Sequence, residues 1–170
     1  MTTICAWSRW PFVLLMLMVA SALAAGPPTV QVEPSDAVGR QVEKVTETSV
    51  VRDYLKAWQS LDSAMQADSP EPLDAYFVGL ARDKLLGTIR QQRELGIETH
   101  YEDRSHDVRL VFYSPEGLSI QLVDTVEYDL QLVDHGKALP VERVHARYVA
   151  VLTPAENRWK VRIFQAEPVK

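Results

Sequence analysis

Apolar and polar positions alternate with period two through four stretches near the C-terminus: residues 106–113, 118–132, 143–152 and 158–167. This pattern predicts four β-strands. In the second, Leu118, Ile120, Leu122, Val126, Tyr128, Leu130 and Leu132 share one face, and Ser119, Gln121, Thr125, Glu127, Asp129 and Gln131 the other. In the first strand Val108, Leu110 and Phe112 share the apolar face. Val144, Ala146, Tyr148 and Ala150 share it in the third, and Trp159, Val161 and Ile163 in the last. Ser114-Pro115-Glu116-Gly117 and Thr153-Pro154-Ala155-Glu156-Asn157 supply turn chemistry between the pairs. At about 15 residues the second strand is long enough to require a bend or bulge.

Ahead of the strands the spacing changes. Val51, Tyr54, Leu55, Trp58, Leu61 and Met65 recur at three- and four-residue intervals, the signature of one helix face. Ser69-Pro70 predicts a new helix start, with a short helix through Leu73, Tyr76 and Phe77. A third helix follows from about residue 81 to 95, closed by Gly96 as a left-handed cap. Helices first and strands last predict an α+β domain: N-terminal helices packed on a curved, four-stranded antiparallel sheet.

The N-terminus adds a compartment. Residues 11–25 form an apolar run of about 15 residues ending in Ala22-Leu23-Ala24-Ala25, with Arg9 ahead of it. That is short of the ~20 residues a spanning helix needs, so it reads as a signal peptide cut after Ala24 or Ala25; the alternative is a retained anchor. The expectation is an exported chain, periplasmic or secreted, with no membrane contact after cleavage. Residues 26–40, holding Gly26-Pro27-Pro28 and Pro34-Ser35-Asp36, read as a flexible linker, and 41–170 as the domain. Cys5, the sole cysteine, leaves with the leader, which excludes disulfides and thiolate chemistry from the mature chain. A net charge of −5 without a basic cluster argues against nucleic acid.

Several residues carry a family resemblance: Val50-Val51-Arg52-Asp53-Tyr54-Leu55-Lys56-Ala57-Trp58, then Tyr101, Arg147-Tyr148 and Trp159-Lys160-Val161. With the helix-then-sheet order, residues 42–167 resemble the nuclear transport factor 2-like superfamily, closest to its small extracytoplasmic and chloroplast-division domains. The resemblance implies a cone-shaped domain with a pocket between helices and sheet. It also implies activities that range from isomerases and dehydratases, using an inward acid or His, to non-catalytic binding and assembly domains.

The candidate chemistry is therefore whatever polar group points inward. Asp124 stands between Leu122 and Val126 where parity calls for a hydrophobe; inward, it would be desolvated and suited to proton transfer. The bland alternative is a bulge that turns it outward, or a buried Asp held by Tyr or Arg. His106 shares the parity of Val108, so an inward His106–Asp124 pair is the catalytic candidate. Tyr54, Trp58, Phe77, Tyr148 and Gln165 complete the expected lining. The segment 100–107 (His-Tyr-Glu-Asp-Arg-Ser-His-Asp) matches no metal-site spacing and reads as a solvated helix-to-strand connection. No metal, cofactor, nucleophile elbow or phosphate loop is expected. The leading expectation is a non-catalytic domain that binds a small apolar ligand or a protein, or a second copy through the sheet. The alternatives are a pocket enzyme using Asp124 with His106, and a cell-envelope assembly or secretion component.

Overall fold

The computed structural model describes residues 26–167; the expected signal peptide lies outside the described residues. The first predicted helix is α1, Lys44–Gln66, which buries Val50, Tyr54, Trp58, Leu61 and Met65 as its spacing requires. It stops at Ala67. Asp68 follows in the left-handed region (φ 48), which a short polar side chain tolerates. The expected short helix is a 3-10 turn, Glu71–Ala75, fastened to α1 by the Ser60 hydroxyl donating to the Pro72 carbonyl. The last helix, α2, spans Gly79–Leu95, and Gly96 (φ 66) caps it with its N–H directed at the Gln92 and Arg93 carbonyls.

The strands are β1 Thr29–Val32, β2 Val38–Gly39, β3 Ile97–Tyr113, β4 Ile120–Asp134, β5 Lys137–Ala138, β6 Glu142–Ala155 and β7 Arg158–Glu167. They form one sheet in the order β1-β3-β4-β6-β7, with β2 also on β3 and β5 on β4. The four predicted strands are its antiparallel centre, β3-β4-β6-β7. The expected four-stranded antiparallel sheet is thus a seven-stranded mixed one.

Two expectations about the connections are corrected. The segment read as a flexible linker contributes β1 and β2, which run parallel to β3 through backbone pairing alone, their side chains exposed. Gly39 (φ 100) permits this approach, because a Cβ there would lie 2.3 Å from the Tyr113 carbonyl oxygen. The segment 100–107 is not a loop: β3 begins at Ile97 and pairs with β4 along its whole length.

Bulges then re-aim side chains. Arg104 and Val111 are the extra residues on β3, and Arg162 on β7. Beyond Val111 the parity flips, so Tyr113 rather than Phe112 is buried. Beyond Arg162, Phe164 rather than Ile163 faces the core, stacking on Tyr148 at 4.7 Å. The inner face of the sheet packs on α1 through Val108, Leu110, Ile120, Leu122, Val126, Ala150, Leu152 and Val161. On the outer face Arg143 pairs with Glu127 and Asp129, Arg104 with Glu102 and Asp129, and Arg147 with Glu167. All but the Arg104–Glu102 pair, which lies within β3, run between strands. Asp129, between two guanidinium groups, is held below the usual carboxylate range.

Candidate functional site

Strand parity carries Asp124 inward, as expected, and no bulge intervenes on β4. The carboxylate is fully buried. Its Oδ2 accepts a hydrogen bond from the Tyr54 hydroxyl (2.9 Å) and faces His106 Nδ1 at 2.7 Å. The pair named from the sequence therefore exists, with Tyr54 as a third member. The bulge at Arg104 adds a fourth: it aligns Asp103 opposite Tyr128, on the same face as His106, and brings Asp103 Oδ2 to 3.6 Å from His106 Nε2.

The electrostatics follow from that placement. Burial by itself lowers the pKa of His106. The two carboxylates beside it, Asp103 and Asp124, outweigh it, and the imidazole is pushed up to about 9. At neutral pH the group is an imidazolium locked between two carboxylates. Burial, then the Asp124 charge, raises the Tyr54 phenol well above its ordinary value, so it stays a proton donor. A general base needs a pKa near the working pH and a route to substrate. His106 has neither, being 1 % exposed.

Trp58 supplies the reason for the missing route. Its ring lies on the inner face against His106 (5.6 Å between centroids), Tyr128 (5.9 Å), Tyr148 (5.0 Å) and Phe164 (5.2 Å). Phe77 backs Phe164 from the helical side at 5.9 Å. The residues expected to line a pocket thus fill it: Tyr54, Trp58 and Phe77 are buried in mutual contact and Tyr148 is half-buried. Gln165 is a correction. The bulge at Arg162 puts it opposite Val149 on the outer face, where it is exposed. A cleft of about 270 Å³ between β1, β3, β4 and β6 includes His106 in its lining, beside Ser105, Asp107 and Thr125, although the imidazole itself is buried; another, of about 230 Å³, lies near His100 and Asp129, and neither is lined by Trp58 or Asp124. Trp58 Nε1, His106 Nε2 and Asp124 Oδ1 are buried without a hydrogen-bond partner. Among the described residues no group of three or more His, Cys, Asp or Glu is placed to hold a metal.

Two carboxylates on α1 escaped the sequence reading. Asp53 is buried, pairs with Arg52 (2.9 Å) and accepts the Trp159 N–H (2.8 Å), tying α1 to β7. Asp62 accepts the Tyr101 N–H at 3.1 Å. The signal for Asp53 was available: it lies beside Val50, Tyr54 and Ala57 within the apolar arc of α1.

No family model matches the chain, and no curated protein matches it. Among solved structures, the intermembrane-space region of the chloroplast protein ARC6 is similar at 14% identity and a TM-score of 0.60, covering 75% of this chain and 98% of that one. A Novosphingobium aromaticivorans protein named for scytalone dehydratase matches at 14% identity and a TM-score of 0.49, covering 75% of this chain and 94% of that one. A Xanthomonas campestris protein named for the association domain of calcium/calmodulin-dependent protein kinase II matches at 15% identity and a TM-score of 0.42, covering 78% and 93%. At these identities the likeness is one of fold.

Proposed function

We propose that the chain is an exported, non-catalytic domain that binds protein through the outer face of its sheet, with a second copy as the occupant. One observation carries this reading: Trp58 and its aromatic neighbours fill the inner face and seal Asp124 and His106 from solvent. The polar network then braces the core, joining α1 to β3 and β4. Recognition falls to the outside. There Val149, Val151 and Ile163, each half-buried, lie beside the largely buried Val123 across β4, β6 and β7, with the ion pairs of Arg143 and Arg147 on the same face. An apolar centre with a charged rim is the anatomy of a protein interface. The apolar run at residues 11–25 supports export, and an extracytoplasmic region, that of ARC6, is among the folds it resembles.

Sedimentation velocity at tens of micromolar tests it, with wild type beside Val149→Asp. Association in the wild type that the variant loses is expected; a wild-type monomer refutes the homodimer. A second reading, a pocket enzyme of the isomerase or dehydratase type, draws on the 2.7 Å contact between His106 and Asp124. It requires a path to the buried pair, through a movement of Trp58 or from the cleft that His106 lines.

A further inference from the structure

Most arginines here are neutralised: Arg82, Arg93, Arg104, Arg143 and Arg147 each meet a carboxylate at 3.1 Å or less. The β6–β7 hairpin gathers bases that are not. Among the described residues Arg158, Lys160 and Arg162 have no carboxylate within 4.0 Å, in a chain whose net charge is −5. Two of the nearby acids are already engaged. Asp74 is bonded to Arg82, and both oxygens of Asp53 are taken, by Arg52 and by the Trp159 N–H.

The bases are also held in place. The Arg158 guanidinium lies 5.2 Å from the centroid of the Tyr76 ring, and its Nε donates to Asn157 Oδ1 (3.3 Å). Lys160 Nζ donates to the Asp74 carbonyl at 2.8 Å. Arg52, bonded to Asp53 through Nε, keeps about half its side chain exposed. Two clefts straddle the hairpin tip. One, about 390 Å³, lies between the 3-10 turn and Arg158–Lys160; the other, about 310 Å³, is walled by Arg52 and Trp159.

We infer that this end of the molecule binds an acidic peptide segment of a partner protein in an extended conformation. Residues 158 and 160 stand about 7 Å apart at ~3.3 Å per residue, so alternate carboxylates of an extended acidic strand match them. A pair of open clefts suits a chain better than an isolated anion, and no glycine-rich loop or cluster of backbone N–H groups converges there. Glu156, at the tip in the left-handed region (φ 43), is the one opposing charge lining both clefts. Val149→Asp leaves Arg158 and Lys160 in place, so this inference and the homodimer fail separately.

Fluorescence anisotropy with a fluorescein-labelled octaglutamate peptide and the purified protein tests it. Binding is expected at 20 mM NaCl and should weaken about tenfold by 300 mM, as exposed ion pairs are screened. Arg158→Glu with Lys160→Glu should weaken it about tenfold or more. Lys84→Glu with Arg90→Glu makes the same charge change on exposed positions of α2 and should leave most of the affinity. Glu156→Gln should tighten binding two- to threefold, to order of magnitude. Three results would overturn the inference. They are no binding at low salt, equal losses in the two double variants, and displacement of the peptide by inorganic phosphate at matched ionic strength, which would mark a small-anion site.

Discussion

Asp124→Asn removes one negative charge from a fully buried site while keeping the side chain's shape. Asp124 Oδ2 receives the Tyr54 hydroxyl at 2.9 Å and His106 at 2.7 Å. Hydrogen bonds to a charged group contribute roughly 1.5–3 kcal/mol each, and a neutral acceptor about half as much, so the weakened pair costs about 2–3 kcal/mol. The new amide N–H has no acceptor in this core, which adds about 1 kcal/mol or more. Against this, His106 retains Asp103 at 3.6 Å and can shed its proton, so the total stays below the ~5 kcal/mol upper range for breaking a buried ion pair. The expected loss is about 3 kcal/mol. Urea unfolding at pH 7, followed by the fluorescence of Trp58 and Trp159, measures it; the midpoint should fall without a change in slope. A loss under about 0.5 kcal/mol would refute the brace and mean that the carboxylate is not engaged as its geometry indicates.

Stability should also depend on pH through His106. Its folded pKa of about 9 lies above an unfolded value of about 6.5, so its contribution is full below pH ~6.5 and disappears as pH rises through 9. At 1.36 kcal/mol per unit this is about 3 kcal/mol, and a flat urea midpoint between pH 6 and 10 would contradict it. Asp53→Ala leaves the Trp159 N–H without its acceptor and Arg52 without its partner; a loss of about 2–3 kcal/mol in the same assay is expected. Gly39→Ala should release β2 from β3, because its Cβ would meet the Tyr113 carbonyl. Faster amide exchange at Arg40, whose N–H bonds that carbonyl at 3.0 Å, would report this with little change in global stability.

The elements legible in the sequence are those with one buried face. α1, α2 and the four central strands bury a periodic set of side chains, and their pattern survives in the sequence. Asp124 was legible for the same reason, as a charge breaking the apolar parity of β4. β1 and β2 were not: all their side chains are exposed, so backbone pairing alone orders them and leaves no hydrophobic pattern. The first half of β3 was hidden because Glu98, His100, Glu102 and Arg104 look like loop chemistry, while they pair with one another along the strand and, through Arg104, with Asp129 on β4. The bulges at Val111 and Arg162 invert parity locally, which misplaced Phe112, Ile163 and Gln165. The pocket was misjudged for a different reason. Periodicity places Tyr54, Trp58 and Phe77 on the inner face, but whether large rings line a space or fill it depends on how strands and helix converge. Only the packed structure records that.

The central claim is that Trp58 seals the Asp124–His106 pair from anything outside. Histidine carbethoxylation with diethyl pyrocarbonate at pH 8, read residue by residue by mass spectrometry, tests it directly. His135 and His145 are exposed and His100 is half-exposed, so all three should be modified in the folded protein, while His106 remains unmodified until urea unfolds the chain. Protonation at pH 8 also slows carbethoxylation of His106, so the deciding contrast is with Trp58→Ala, whose His106 should react faster than that of the wild type under the same conditions. Modification of His106 in the folded wild type at the rate of His145 would show an open inner face and return the pair to catalysis.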